Sequence, residues 1–167
     1  MLRPAQLYFR EINASLMHRW YDLDFQYYAG TFGMDNINFP DDNRNEHSFA
    51  SVDKEDKLIG HIAYTIDRYT NSTNNWRIIN FKRGNMIFMD DLKTALIDVF
   101  TKYNFARVEW YCVADNPAIR GYRNFIKRFG GRECGYFRNE TLLLDGKLHD
   151  SVFFELLAEE FFAHYKQ

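Results

Sequence analysis

The chain has 167 residues, enough for one domain with a hydrophobic core of useful size. Hydrophobic residues make up 46% of the chain and charged residues 26%, a composition typical of a folded protein rather than a disordered one. The formal net charge of -2 argues against a dedicated nucleic-acid binder. No apolar run approaches the roughly 20 residues of a membrane helix, which argues against a membrane protein.

The N-terminus and the cysteines indicate the compartment. The opening stretch MLRPAQLYFREIN lacks the apolar core of a signal peptide, so we expect a mature protein from the start. Cys112 and Cys134 are the two cysteines, and they fit no metal-binding spacing. A reduced chain in the cytoplasm is therefore expected.

The first third of the chain predicts a strand, a helix and a loop. Residues 5–12 have strand character, and residues 14–30 form an aromatic-rich helix that ends at Gly30. Residues 31–46 hold Gly, Asn, Asp and Pro and are predicted to be a loop.

Three strands follow in the prediction. Residues 47–53 and 57–67 are predicted to be strands that flank the polar turn KED. A second polar turn, residues 71–75, leads into a strand over residues 76–81. Because the connections are short, we expect these three strands to be antiparallel.

The pattern then changes to a helical period. An amphipathic helix is predicted over residues 86–103, from the spacing of Phe88, Leu92, Ala95, Leu96, Val99 and Tyr103. The β-rich segment 106–113 follows, so a right-handed parallel crossover is expected. A second helix has Pro117 just inside its start and ends at Gly130 and Gly131.

The end of the chain predicts a closing hairpin. Residues 133–144 and 151–157 are its two arms, although periodicity alone allows the second arm to be a helix. The order of elements predicts an α+β (mixed α/β) domain spanning residues 1–167.

The stretch NFKRGNMIFMDDL, residues 80–92, has the pattern of a phosphate-binding turn. A strand stops at basic residues and Gly84, and a helix begins at once, which leaves the first N–H groups of that helix unpaired. Those donors and the helix dipole favour an anion at this place. Many strand-to-helix corners with one glycine bind nothing, so the turn by itself is a weak signal.

Three segments together resemble the GNAT superfamily of acyl-CoA N-acyltransferases. The family's cofactor turn is commonly written Arg-Gly-x-Gly-x-Gly/Ala followed by a Leu/Ala-rich helix, and RGNMIFMDDLKTALIDVF (83–100) superposes on it without a gap. Arg83 and Gly84 match the motif, whereas Met86 and Phe88 replace its two later small residues. The segments VADNPAIRGYRNFIKRFGG (113–131) and GYFRNETLLLDGKLHDSVFFELL (135–157) are similar to the family's second helix and closing hairpin. The branch it resembles most includes the ribosomal-protein N-terminal acetyltransferases.

The resemblance implies a GNAT-like fold, which is a twisted mixed sheet with a splayed central strand pair and flanking helices. The pair would be residues 76–81 and 106–113, parallel to each other, with acetyl-CoA as co-substrate wedged between them. The last apolar run is then a strand. The residues expected at the cofactor are Phe81, Arg83, Gly84, Asn85, Met86, Ile87, Phe88 and Asn116, with Asp115 as the alternative to Asn116 in another register.

Acyl transfer to an amine needs an acid and a base; the resemblance suggests the acid, and the predicted strands offer candidates for the base. Tyr122 matches the family's general acid near the cofactor sulfur, although its helical spacing also fits a core tyrosine. Glu109 is the predicted base, with Asp67 and His61 as the other candidates. A water molecule serves as the base in some members of the family.

The predicted function is transfer of an acetyl group to an amine, carried by a small molecule or a peptide N-terminus. The alternative is a GNAT-fold module that has lost catalysis, because Met86 and Phe88 alter the cofactor turn. No metal is expected, since the five histidines share no metal spacing with cysteines or carboxylates. Neither nucleic acid nor membrane is expected as a partner, and a homodimer is a candidate assembly.

Overall fold

The computed structural model describes residues 1–19, 21–29, 37, 39 and 44–165. The strands are β1 (Leu2–Pro4), β2 (Glu46–Val52), β3 (Leu58–Asp67), β4 (Ser72–Asn80), β5 (Arg107–Val113), β6 (Arg132–Leu142) and β7 (Leu148–Leu157). The α-helices are α1 (Phe9–Met17), α2 (Gln26–Ala29), α3 (Met86–Thr101), α4 (Ile119–Phe129) and α5 (Ala158–His164). The strands form one sheet in the order β1-β2-β3-β4-β5-β7-β6.

Strand directions agree with the predictions from sequence. β2, β3 and β4 are consecutive antiparallel neighbours, and β5, β7 and β6 form a second antiparallel group. β4 and β5 are parallel, joined by the crossover through α3. The mixed sheet with a central parallel pair is therefore confirmed.

Helices cover both faces of the sheet. On one face, α3, α4 and α5 contribute Val99, Phe129 and Phe161 to a core that includes Val108 and Phe154 of the sheet. We call this the α4 face. On the other face, Ile12 and Leu16 of α1 pack with Ala50, Val52 and Ile79, and we call this the α1 face. Successive residues of one strand alternate between the two faces.

The predicted strand over residues 5–12 is wrong. Residues Ala5–Tyr8 form a 3-10 turn and α1 begins at Phe9. Ile12 and Leu16 are both buried, which is the four-residue spacing of a helix face. A short apolar run fits both a strand and a helix, and packing on the sheet decided for the helix.

The predicted helix over residues 14–30 is also wrong in extent. α1 ends at Met17, and a 3-10 turn (Leu23–Phe25) and the short α2 follow it. Asp22 accepts a hydrogen bond from the backbone N–H of Asp24, which starts a new turn instead of continuing the helix. Gly30 and most of the predicted loop 31–46 lie outside the described residues.

The bounds of other elements differ from the predicted ones by a few residues. β4 begins at Ser72, inside the predicted turn 71–75, and the observed turn lies over residues 68–71. Pro117 lies in the turn before α4, which starts at Ile119, rather than inside the helix. The final apolar run is a strand, as the resemblance implied, and α5 after it was not predicted.

Candidate functional site

β4 and β5 separate after a short paired stretch. Their register consists of two pairs, Ser72 with Arg107 and Thr73 with Val108, at the start of both strands. Beyond these pairs β4 bonds to β3 and β5 bonds to β7, so the two inner edges of the described strands face a gap. The gap opens towards the C-terminal ends of both strands, as expected for a splayed pair.

A bulge in β4 lies where the strands separate. Thr65 of β3 is opposite Asn74 and Ala63 is opposite Arg77, so β4 carries one extra residue. Asn75 has a φ of 49°, the left-handed conformation that an asparagine tolerates at a bulge. Because bulges increase local twist, this one turns β4 away from β5.

The predicted phosphate turn lies at the open end of the gap. Gly84 has a φ of 72°, and a Cβ added there would meet no atom within 4 Å. The glycine is therefore required by backbone conformation rather than by lack of room. Among the described residues, the backbone N–H groups of Gly84 and Met86 have no hydrogen-bond partner.

Asn85 changes the expected pattern of free donors in this turn. It is the N-cap of α3, and its Oδ1 accepts hydrogen bonds from the backbone N–H of Ile87 at 2.9 Å and of Phe88 at 3.3 Å. The expectation that these first helical N–H groups are unpaired is thus wrong for Ile87 and Phe88. A bound phosphate would have to displace the Asn85 side chain to reach them.

Side chains of the turn divide into buried and exposed ones. Phe81 and Phe88 are buried, and Phe88 packs so tightly on Gly60 that a Cβ at Gly60 would lie 2.4 Å from its ring. Met86 is 71% exposed, so it does not fill the turn. Arg83 forms an ion pair with Asp24, whose Oδ2 lies 3.0 Å from Nη1.

Asn116 lies at the other side of the open end. It follows β5 in the turn before α4, where its Oδ1 accepts a hydrogen bond from the backbone N–H of Ala118 at 2.9 Å. The structure thus brings residues 81–88 and Asn116 to the same end of the β4–β5 gap.

Tyr122 projects from α4 onto the sheet. Its ring packs against Trp110 and Phe154, with ring centroids 6.1 and 6.0 Å away. Burial raises the pKa of Tyr122, so the phenol keeps its proton at any physiological pH. Its hydroxyl has no hydrogen-bond partner among the described residues. Tyr122 is therefore both a core side chain and an available proton donor.

Glu109 and Tyr122 are not brought together. Trp110, which contacts Tyr122, faces the α4 side, so its neighbour Glu109 faces the α1 side. Glu109 is partly exposed and pairs with Arg107, 3.3 Å away. Since Glu109 is the first residue of β5 beyond the paired stretch, it borders the gap on the face opposite Tyr122.

The two other base candidates have structural environments. Asp67 accepts hydrogen bonds from the backbone of Tyr69 and Thr70 and holds the exposed turn after β3. His61 is fully buried, its Nε2 lies 2.9 Å from the Ser48 hydroxyl, and burial lowers its pKa to about 3. An imidazole with that pKa is a weak base near pH 7.

A cluster at the open end was missed from sequence. His149 of β7 lies between Asp115, 2.7 Å from its Nδ1, and Asp145, 3.1 Å from its Nε2. These carboxylates raise the pKa of His149, the hydrogen bond to Asp115 being the main cause. The four-residue spacing of Asp145 and His149 across the hairpin turn was a usable signal, whereas Asp115 is 34 residues away.

Trp110 and Cys112 are further neighbours of Tyr122 on β5. The Trp110 Nε1 is buried and has no hydrogen-bond partner in the part of the chain that the structure describes. Cys112 is a free, buried thiol whose pKa is raised to about 12 by burial, which agrees with a packing role rather than a nucleophilic one. None of the described helices is long and apolar enough to cross a membrane.

Comparison with known proteins gives matches by structure. No protein-family model matches the chain, and no curated protein matches it by sequence. The spermidine N-acetyltransferase from Vibrio cholerae, solved with CoA and spermine, is 19% identical with a TM-score of 0.77 over 97% of each chain. A GCN5-related N-acetyltransferase from Brucella melitensis is 22% identical with a TM-score of 0.70, over 97% of this chain and 77% of the other.

A further Vibrio cholerae spermidine N-acetyltransferase structure is dodecameric. It is 21% identical with a TM-score of 0.63, over 74% of this chain and 71% of the other. At these identities the comparisons establish the fold, which is the one shared by GCN5-related N-acetyltransferases, or GNAT proteins.

Proposed function

We propose that the chain is an N-acetyltransferase that transfers the acetyl group of acetyl-CoA to an amine. The observation that carries this proposal is the gap between β4 and β5. The Gly84 turn lies at its open end, and Tyr122 lies on the α4 face of the sheet, against β5. A structure of the same fold was solved with CoA and spermine, which supports a cofactor and an amine acceptor of these classes.

The turn supplies groups that suit a diphosphate. Gly84 and Met86 present backbone N–H groups that no described residue accepts, at the start of α3, where the helix dipole favours negative charge. Lys82 and Arg83 add positive charge beside them. The unpaired inner edges of β4 and β5 can hydrogen-bond the amide groups of an extended pantetheine arm, as another strand would.

The two proton transfers of the reaction take place on opposite faces of the sheet. On the α4 face, Tyr122 holds a proton that it can give to a departing thiolate. On the α1 face, Glu109 or a water molecule beside it takes the proton of the incoming amine. We therefore assign Tyr122 as the acid and Glu109 as the candidate base.

The acceptor and the assembly are also proposals. The closing hairpin resembles that of the ribosomal-protein N-terminal acetyltransferases, which favours a peptide N-terminus, whereas the Vibrio cholerae structure favours a small amine. A homodimer or larger homo-oligomer is supported by the dodecamer of the same fold, and light scattering in solution tests it.

A second candidate is a module that binds CoA or another anion without catalysis. The side chain of Asn85 accepts hydrogen bonds from two N–H groups of the helix, and Asp24 forms an ion pair with Arg83. Both contacts compete with a phosphate in the turn. This arrangement favours weak binding and therefore keeps the second candidate in consideration.

Calorimetry and a thiol-release assay separate the two candidates. CoA and acetyl-CoA are titrated first, and acetyl-CoA is then incubated with spermidine, an aromatic amine and short peptides while free thiol is measured. Binding with amine-dependent thiol release supports the enzyme. Binding without release by any amine supports the module, and no CoA binding at millimolar concentration contradicts the proposed acetyltransferase.

A further inference from the structure

Trp110 carries a buried hydrogen-bond donor that no described residue accepts. The residue is 6% exposed, and its Nε1 has no hydrogen-bond partner among the described residues. Its ring lies among other rings, stacked on Phe154 at 5.3 Å and in edge contact with Phe125 and Tyr122 at 6.1 Å. An indole N–H can only donate, and the faces and edges of these rings are weak partners for it.

Leaving this donor unpaired destabilises the fold. A buried donor without a partner has lost its hydrogen bond to water and has gained none within the protein. By contrast, Trp76 on β4 donates its Nε1 proton to the Thr73 hydroxyl at 3.2 Å. A ligand acceptor that approaches Trp110 would supply the missing partner.

A second unused donor lies next to the first. The Tyr122 hydroxyl also has no hydrogen-bond partner among the described residues, and its ring contacts that of Trp110. Both side chains belong to the α4 face. Trp110 is two residues beyond Val108, the last residue of β5 that pairs with β4, so its backbone borders the gap.

We propose that the Trp110 indole N–H is a second hydrogen-bond donor to the sulfur of the acyl donor, acting beside Tyr122. This inference rests on the proposed acetyltransferase function. It assigns Trp110 as a catalytic residue, because its Nε1 contacts an atom whose bond breaks.

The role follows from the charges of acyl transfer. The amine nitrogen bonds to the acyl carbon, the C–S bond breaks, and sulfur leaves with the electron pair. Tyr122 gives its proton to that sulfur and later takes one from solvent, while the proton of the amine passes to Glu109 or to the water beside it. While charge builds on sulfur, Trp110 stabilises it without giving up a proton, because an indole N–H is a donor only.

The direct test is an NMR titration of the unaltered protein labelled with ¹⁵N. The indole signal of Trp110 is the one missing from a Trp110→Phe sample. We expect it to move downfield with CoA and to stay in place with desulfo-CoA, which keeps the phosphates and the pantetheine arm. Calorimetry shows in parallel that both compounds bind.

The outcomes separate this inference from the proposed function. An equal shift with both compounds would mean that Trp110 binds the arm and not the sulfur, which overturns the inference. No shift with either, while both bind, also overturns it. If neither compound binds, the proposed function fails, and the inference fails with it.

Turnover provides the second readout. We expect Trp110→Phe to lower kcat at least about 10-fold while the KM for acetyl-CoA changes little, since a donor to developing charge acts mainly in the transition state. Phe125→Leu is the matched control, because it disturbs the same ring cluster without removing an N–H. Equal losses in the two variants would reduce Trp110 to a packing residue.

Discussion

Arg83 Nη1 lies 3.0 Å from Asp24 Oδ2, which joins the turn before α3 to the 3-10 turn that follows α1. The nearby Phe81 ring stacks on Phe25 across the same junction, at a centroid distance of 6.1 Å. Both partners of the ion pair are exposed, so the pair itself contributes little stability. The pair matters for ligand binding, because Asp24 already holds the Arg83 guanidinium and therefore competes with a phosphate for it.

We predict that Asp24→Asn strengthens CoA binding by a few-fold. Loss of the carboxylate frees Arg83, and exposed ion pairs are worth only about 0–1 kcal/mol. Calorimetry with CoA measures the change, and Asp56→Asn is a control at another exposed aspartate. Weaker binding in Asp24→Asn would show that the pair orients Arg83 for the ligand.

The cap of α3 gives a second prediction. Asn85→Gly frees the N–H groups of Ile87 and Phe88, so we expect tighter CoA binding with a melting temperature close to that of the original protein. Asn85→Ala frees the same groups but costs about 1 kcal/mol of stability, because alanine is a poor N-cap. Reduced affinity in both variants would instead mean that the Asn85 side chain itself contacts CoA.

Tyr122→Phe tests the proposed acid at a single oxygen atom. The hydroxyl has no partner among the described residues, so the melting temperature should hardly change. Turnover should fall roughly 100-fold or more if the hydroxyl protonates the thiolate, with CoA affinity little affected. Steady-state rates beside a melting curve decide the matter, and unchanged turnover would make Tyr122 a core residue with solvent as the proton donor.

His149 should make stability depend on pH. Its pKa in the folded protein is raised above the ordinary 6.5 by Asp115 and Asp145, so the protonated form is stabilised by folding. This stabilisation is fully present below pH 6.5 and is lost as the pH rises through the folded pKa. The melting temperature of His149→Gln should thus fall below that of the original protein at pH 5.5, and the difference should shrink by pH 9.

The control for this prediction is His164→Gln. His164 contacts a backbone carbonyl of Glu160 rather than a carboxylate. A deficit of His149→Gln that is equal at both pH values would show that the imidazole is held by neutral hydrogen bonds alone.

The sequence by itself determined the strands and helices whose apolar side chains recur with a clear period. β2, β3, α3, β5 and the first arm of the hairpin appear within a few residues of their predicted bounds. Their local preference and their buried faces agree, so tertiary packing had nothing to override. The Gly84 turn was also readable, because a positive φ at a strand-to-helix corner requires a residue such as glycine.

Only the tertiary structure decided two things: which element forms where the sequence pattern is weak, and which side chains contact one another at the site. Residues 5–12 are predicted to be a strand, and contact with the sheet selected a 3-10 turn and the start of α1 instead. The Arg83–Asp24 pair joins residues 59 apart, and Asp115 and His149 are 34 apart, so no local pattern encodes either contact. The physical reason is that a single sequence encodes local conformation directly. Hydrogen-bond partners, and donors without a partner such as the Trp110 indole, depend instead on which distant surfaces the fold brings together.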